Sequence, residues 1–233
     1  MKKIWITGAS SGIGKALAIK FASEGWQVAA SARRENLLQE LNKDNPKIHS
    51  FPLDVTDGSL CKKVFNNIVE KFQIIDICVF CTGIHDPQSE KKISEEKIRE
   101  IMEVNFFGTL NCIMAVNIYF REKQSGHISI VSSVAGYRGF PAASGYCASK
   151  AALTSLAESL YFDFKRYNVR VSLISPGFIK TPMTDKNKFP MPMIKSPEYA
   201  AEKMFIGLTK QNVFEIHFPK TLTMIMKLLK IIP

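Results

Sequence analysis

Lys3-Ile4-Trp5-Ile6 is a short apolar strand that runs straight into Thr7-Gly8-Ala9-Ser10-Ser11-Gly12-Ile13-Gly14, and Ala16, Leu17, Ala18, Phe21 and Ala22 then follow at helical spacing. A strand that feeds a helix through a glycine-rich turn narrows the fold more than any other feature of this chain. Glycines let the backbone pass close to a pyrophosphate, and the free N–H groups at the helix start attract its negative charge. The spacing Gly8-x-x-x-Gly12-x-Gly14 is not the common G-x-G-x-x-G, so the turn alone is a weak signal, and its place after the first strand strengthens it.

The pattern then repeats. Val28 to Ser31 is a second strand, Ile48 to Leu53 a third that ends at Asp54-Val55-Thr56-Asp57, and Ile77 to Cys81 a fourth that closes on Thr82-Gly83-Ile84. Helical segments separate them, including Ser59 to Phe72 with Leu60, Val64, Ile68 and Phe72 in register. Fifth and sixth strands, Ile128 to Ser132 and Val169 to Ile174, and a last one at Val213 to His217 complete about seven. Strands alternating with helices through short turns describe an α/β parallel sheet covered on both faces. A chain of 233 residues with 46% hydrophobic content suits one such domain.

The tip of the second strand is where a dinucleotide-binding fold meets the adenosine ribose, and an acidic residue there suits a free 2′-hydroxyl. This chain carries Ala32, Arg33 and Arg34 instead. Guanidinium groups suit a 2′-phosphate, so the tip favours NADP(H), with NAD(H) possible, Arg33 the first candidate and Arg34 the second.

Composition removes several other classes. No run of about 18 apolar residues occurs, so no membrane span is expected, and Lys2-Lys3 before Ile4-Trp5-Ile6 lacks the apolar length of a secretory signal. Five cysteines at irregular spacing suit a reducing compartment, and the cytoplasm is the expected location. Cys78-x-x-Cys81 lies on a strand, where residues three apart face opposite ways, so these are two core cysteines and no metal site is expected. The net charge of +10 is spread along the chain without a long basic block, which does not indicate nucleic acid.

Tyr146 and Lys150 stand four residues apart on a segment with helical periodicity through Leu153, Leu156, Leu160 and Phe164. A cation one turn from a phenol favours the phenolate and lowers the tyrosine pKa, which makes a general acid or base. Asn105 is a lone polar residue in Val104-Asn105-Phe106-Phe107, either a hydrogen-bonded core residue or a polar site in an apolar wall. The proline- and methionine-rich segment 178–195 reads as a lid over an apolar pocket. The apolar tail 219–233, with Lys220, Lys227 and Lys230, packs on its own domain, on a second subunit, or on a membrane surface.

Taken together, these motifs resemble the short-chain dehydrogenase/reductase family in its single-domain form, along nearly the whole chain. Thr7 to Gly14 resembles that family's T-G-x-x-x-G-x-G turn, and Tyr146-Cys147-Ala148-Ser149-Lys150 its Y-x-x-x-K. The resemblance implies a Rossmann-type doubly wound parallel sheet in a single domain, 1–233. It makes Asn105, Ser133, Tyr146 and Lys150 the catalytic set, with Ser132 as second choice for the serine. It also implies cofactor contacts from Gly8, Ser10, Ser11, Gly12, Ile13 and Gly14, from Arg33 and Arg34, from Asp54 and Val55, from Gly83, from Tyr146 and Lys150 themselves, with Lys150 on the nicotinamide ribose, and from Pro176, Gly177, Ile179 and Thr181.

The implied activity is hydride transfer between a nicotinamide and a carbonyl or alcohol substrate, with ketone or aldehyde reduction the favoured direction. Homodimers or homotetramers are usual in the family. One motif departs: the family's N-N-A-G at the end of the fourth strand is Phe80-Cys81-Thr82-Gly83 here, which bears on local stability and adenosine-side contacts. Two other readings stay open, a non-catalytic nucleotide-binding redox sensor and a membrane-surface reductase of lipid-derived carbonyls.

Overall fold

A computed structural model describes residues 1–87 and 92–231. Part of the polar loop after Ile84, and Ile232 and Pro233 of the tail, lie outside the described residues. The strands are β1 (Lys3–Thr7), β2 (Gln27–Ser31), β3 (Ile48–Ser50), β4 (Ile77–Phe80), β5 (Gly126–Val131), β6 (Val169–Pro176) and β7 (Glu215–Phe218). All pair in parallel, in the order β3-β2-β1-β4-β5-β6-β7. The helices are α1 (Gly12–Ser23), α2 (Glu35–Asp44), α3 (Gly58–Phe72), α4 (Glu95–Met102), α5 (Gly108–Lys123), α6 (Ser144–Lys165), α7 (Pro197–Thr209) and α8 (Lys220–Ile231). This is the expected doubly wound α/β architecture.

Alternation along the strands builds the two layers. Ile4 and Ile6 of β1 face one way and join Val28 and Ala30 under α1, α2 and α7, through Leu17, Phe21, Leu38, Met204 and Phe205. Trp5 faces the other way with Ala29, Phe80 and Ile128, under α3, α5 and α6. Both faces are therefore dry, and the strands read as nearly unbroken apolar runs. Cys78 belongs to the second layer and Cys81 packs against the first, so their thiols diverge as the strand geometry requires. Cys81 is only half-buried, however, because it stands where the strand has already ended.

Strand boundaries differ from the sequence reading: β3 stops at Ser50 rather than Leu53, and β7 runs Glu215–Phe218 rather than Val213 to His217. α6 begins at Ser144, two residues before Tyr146. A π turn at Glu103–Phe107, which carries Asn105, joins α4 to α5. The run Glu95–Lys123 is long and apolar enough by composition to cross a bilayer. Cys112, Ile113, Val116 and Phe120 bury its inner side in the second core layer, which accounts for the composition as that of a core helix.

Strand order reverses around β1, whose neighbours β2 and β4 lead in opposite directions across the sheet. Ligands of such sheets sit in the crevice beyond the carboxyl ends of the strands at that reversal. The glycine turn after β1 and the Cys81-Thr82-Gly83 segment after β4 meet there.

Candidate active site

The crevice is a cleft of about 310 Å³ lined by the glycine turn, Arg33, Arg34, Asp54, Val55, Gly83, Ser133, Tyr146, Lys150, Pro176, Gly177, Ile179 and Thr181, among others. Of the residues singled out in the sequence, only Asn105 does not line it.

Backbone packing requires two of the glycines. A Cβ on Gly14 would lie 2.3 Å from the Gly8 carbonyl oxygen, and one on Gly8, whose φ is +71°, would lie 2.9 Å from Cys81 O and Thr82 N. The turn is thus pressed onto the end of β4, where Thr7 Oγ1 accepts from the Cys81 and Thr82 N–H groups at 3.2 and 3.4 Å. That pair of bonds ties the two strand ends together at the position where the family pattern has asparagines. α1 starts at Gly12 with no side-chain cap and no acid in its first turn, so its N–H groups remain available to an anion. Thr82 Oγ1, buried in the cleft wall, has no hydrogen-bond partner. An uncapped helix start, a turn that admits no Cβ and an orphaned hydroxyl together fit a bound dinucleotide.

The two arginines divide. Arg34 Nη2 donates to Ser10 Oγ at 2.8 Å and to Ser11 Oγ at 2.7 Å, and its Nε reaches Ser10 Oγ at 3.2 Å. Its guanidinium is therefore held over the glycine turn. Arg33 is 64% exposed, with Nη1 4.0 Å from the Asp54 carboxylate. Asp54 in turn accepts from the Thr56 N–H and hydroxyl, which fixes the turn after β3. Arg34, the second choice by sequence, is the better ordered of the pair.

Lys150 is buried, and its Nζ donates to the Val131 carbonyl at 2.9 Å. Nζ also lies 5.7 Å from the centroid of the Tyr146 ring. Burial brings the lysine pKa down to about 8, with the nearby Cys81 thiol opposing the shift. One helical turn thus sets a half-buried phenol beside a desolvated amine.

The neighbouring serines separate by hydrogen bonding. Ser132 Oγ donates to the Lys150 carbonyl at 2.8 Å and shares a bond with Thr154 Oγ1 at 2.9 Å, so it is committed to holding α6. Ser133 Oγ accepts from the Ala135 N–H at 3.1 Å, which leaves its own O–H free to donate into the cleft. Gly136 packs on the first of these clusters: a Cβ there would meet Ser132 Oγ at 2.8 Å and the Lys150 carbonyl and Thr154 Oγ1 at 2.9 Å.

Asn105 is fully buried in the π turn. Its Oδ1 accepts from the Ile84 N–H at 2.7 Å, and its Nδ2 donates to the Ile84 carbonyl and to Ser149 Oγ, each at 3.0 Å. Every polar atom of the side chain is satisfied, so here it clamps the strand that leaves β4 against α6. Gly83 fills the gap between Asn105 Oδ1 and Lys150 Nζ. π turns recur at functional sites, and this one is local to the clamp.

Beside Tyr146 a smaller cavity of about 80 Å³ opens, lined by Val134, Phe140, Phe178, Met183 and Phe189 with Ser133 and His85. His85 was not legible as a site residue. Its ring lies 4.6 Å from that of Tyr146, a contact made across 61 positions of chain that no local pattern signals. Behind Phe178 and Phe140, α8 completes the wall with Leu222 and Met226, packed on Val134 and Tyr137. Glu215 of β7 anchors this wall by accepting from Tyr137, from Lys227 of α8, and from Ser175 Oγ at 2.7 Å. Burial pushes the Glu215 carboxyl up, and the bonds from Lys227, Tyr137 and Ser175 outweigh it and leave the group below its ordinary range.

A parallel sheet with a dinucleotide cleft at its topological reversal, and a tyrosine-lysine pair at the cleft floor, defines a nicotinamide-dependent dehydrogenase or reductase. The short chain dehydrogenase family model matches residues 2–211. The chain is 33% identical over 232 residues to an uncharacterized oxidoreductase of Myxococcus xanthus, covering 98% of this chain and 91% of that one. It is 36% identical over 185 residues to the 3-oxoacyl-(acyl-carrier-protein) reductase FabG of Thermotoga maritima, covering 78% and 75%. A short-chain dehydrogenase structure from Streptomyces avermitilis superposes with a TM-score of 0.86 at 25% identity, over 97% of this chain and 91% of that one. ElxO with NADP bound shares the fold at a TM-score of 0.81 and 24% identity, covering 93% and 97%. A Burkholderia phymatum enzyme in complex with NAD shares it at 0.83 and 22%, covering 97% and 92%. The chain belongs to the short-chain dehydrogenases, and is an NAD(P)-dependent oxidoreductase.

Proposed function

We propose that this enzyme uses NADP(H) and reduces an apolar ketone or aldehyde, with Tyr146 as the general acid. The carrying observation is the buried Lys150 ammonium, held by Val131 and standing 5.7 Å from the Tyr146 ring at the junction of the cleft and the apolar cavity. The bound nicotinamide supplies hydride to the carbonyl carbon, or takes it from an alcohol in reverse. Tyr146 gives its phenolic proton to the carbonyl oxygen, and the Lys150 charge stabilises the phenolate left behind. Ser133 donates its free O–H to the same oxygen as negative charge develops there. Asn105 positions the Ile84 backbone and Ser149, and so the α6 turn that carries Tyr146 and Lys150.

The cofactor preference rests on Arg34 and Arg33. Arg34 brings a fixed positive charge to the edge of the glycine turn, where a 2′-phosphate is adjacent to the adenosine ribose. Cells keep NADPH largely reduced, which favours carbonyl reduction. Apolar substrates suit the wall of Val134, Phe140, Phe178, Met183 and Phe189.

The cytoplasm suits five cysteines that are all free thiols, including Cys61 and Cys112 with their sulfurs 3.9 Å apart. Self-association through α5 and α6 suits the exposed Met114, Ile118 and Phe162 on those helices. The testing experiment is NADPH and NADH oxidation by the purified chain across a series of aryl and alkyl ketones. Faster turnover with NADPH, rising with ketone apolarity, is expected; turnover only with NADH, or only on charged ketones, contradicts the reading.

A further inference from the structure

Helix α8 is apolar on two sides. Its inner face, Leu222 and Met226, is buried against Val134, Tyr137 and Phe178. Its outer face carries Met224, Ile225, Leu228, Leu229 and Ile231, exposed by 58, 45, 60, 40 and 80%. At 100° per residue these five side chains, with exposed Thr221 among them, fall within an arc of roughly 160° that adjoins the buried Leu222–Met226 side, and Lys220, Lys227 and Lys230 share the remaining side. An apolar arc of five exposed large side chains on one short helix is more than scattered surface hydrophobics, so it points to an occupant.

The charge around it says which occupant. Segment 178–195 and α8 together hold seven lysines against a single acid of their own, Asp185. Lys227 is paired with Glu215 and Lys186 lies 3.9 Å from the Asp86 carboxylate, and the other five keep the face basic. Lys220 and Lys230 are exposed on α8 itself, and Arg138 donates to the Leu229 carbonyl near its end. The two segments adjoin, since Phe178 packs on Leu222 and Met226 while its carbonyl accepts from the Lys195 N–H at 3.0 Å. Exposed Phe189, Met193 and Ile194 continue the apolar chemistry in the same lysine-rich segment. A second copy docked symmetrically on this face would set the basic rim against itself. An anionic bilayer complements both the apolar arc and the charge.

We infer that α8 and segment 178–195 form a membrane-binding face that lies in the interface of an anionic bilayer. The helix rests there on its outer arc, with lysines at the headgroups. Its inner arc supports the cavity beside Tyr146, so an apolar compound dissolved in the bilayer meets the rim formed by Phe178 and Phe189.

The test is co-sedimentation of the full chain with vesicles of phosphatidylcholine alone and of phosphatidylcholine mixed with phosphatidylglycerol, at low and high salt. Variants I225E/L228E and K220E/K230E alter only exposed positions, and their turnover of a soluble ketone checks the fold. Wild type is expected to pellet with the anionic vesicles and to release at high salt. K220E/K230E should lose at least about thirtyfold in partitioning, roughly the energy of two headgroup contacts, and I225E/L228E at least as much through the lost burial of two apolar side chains. Absence of pelleting with either vesicle overturns the inference, as does equal pelleting of the variants. Concentration-dependent self-association that I225E/L228E abolishes, without vesicle binding, also overturns it and makes the face a contact between copies.

Discussion

Lys150 Nζ donates to the carbonyl of Val131, the last residue of β5, at 2.9 Å, so the amine of α6 is fixed to the sheet edge. The bond satisfies one of three donors, and burial leaves the group with a pKa of about 8 against an ordinary 10.5. Between those values the unfolded chain binds more protons than the folded one, so this group's contribution to stability rises as pH rises through that window. Wild type measured against Lys150→Met by urea unfolding should gain on the order of 2 to 3 kcal/mol between about pH 7 and about pH 10. A constant difference across that range would mean that Lys150 titrates as in water.

The adjacent serines should fail in different ways. Ser133→Ala removes a donor aimed at the reacting oxygen and should lower kcat about 10²- to 10³-fold with cofactor affinity unchanged. Ser132→Ala instead strips a partner from the Lys150 carbonyl and Thr154, both buried, and should cost about 1 to 3 kcal/mol of stability. Steady-state kinetics with thermal unfolding of both variants separates the roles; an equal kcat loss in the two would contradict it.

Arg34 is bound to the glycine turn by three hydrogen bonds, whereas Arg33 only approaches Asp54 at 4.0 Å. Arg34→Ala should therefore weaken NADPH binding about 10- to 100-fold, the range of a charge-assisted contact, and leave NADH affinity within about threefold. The loss for Arg33→Ala should be smaller. Fluorescence titration with both cofactors gives the comparison, and an unchanged NADPH affinity in both variants would refute the 2′-phosphate assignment.

Lys227 on α8 and Tyr137 after β5 share the Glu215 carboxylate. Lys227→Met leaves a largely buried carboxylate without its cation, at a cost of about 1 to 3 kcal/mol, reduced from the fully buried case because the Glu215 side chain retains 19% exposure. Because this network supports the wall of Phe140 and Phe178, KM for an apolar ketone should rise more than kcat falls. Lys227→Met with Glu215→Gln should recover part of the stability, measured by thermal unfolding; no recovery would place the defect elsewhere.

What the sequence made legible was local. The glycine turn after Ile6, the alternation of strands and helices, and the four-residue spacing of Tyr146 and Lys150 each rest on neighbours along the chain, and each has its counterpart in the fold. The remainder depends on partners far apart in sequence. Asn105 meets Ile84 across 21 positions and Ser149 across 44. Tyr137 meets Glu215 across 78. The π turn is a one-residue change in helical bonding inside an otherwise ordinary apolar run, and residue type does not announce it. That Arg34 reaches Ser10 and Ser11 across 24 and 23 positions, while Arg33 stands near Asp54, is likewise a long-range matter that periodicity leaves undetermined.

Tyr146→Phe removes one oxygen atom from the site and keeps the ring that packs beside Lys150 and His85. The direct measurement is NADPH oxidation in the presence of an apolar ketone by wild type and Tyr146→Phe, after titration has shown that both bind NADPH equally. Turnover by wild type that falls about 10²- to 10⁴-fold in the variant is the expected result. Equal turnover by the two proteins would contradict tyrosine acid catalysis, and failure of the wild type to oxidise NADPH with any carbonyl would contradict the reductase itself.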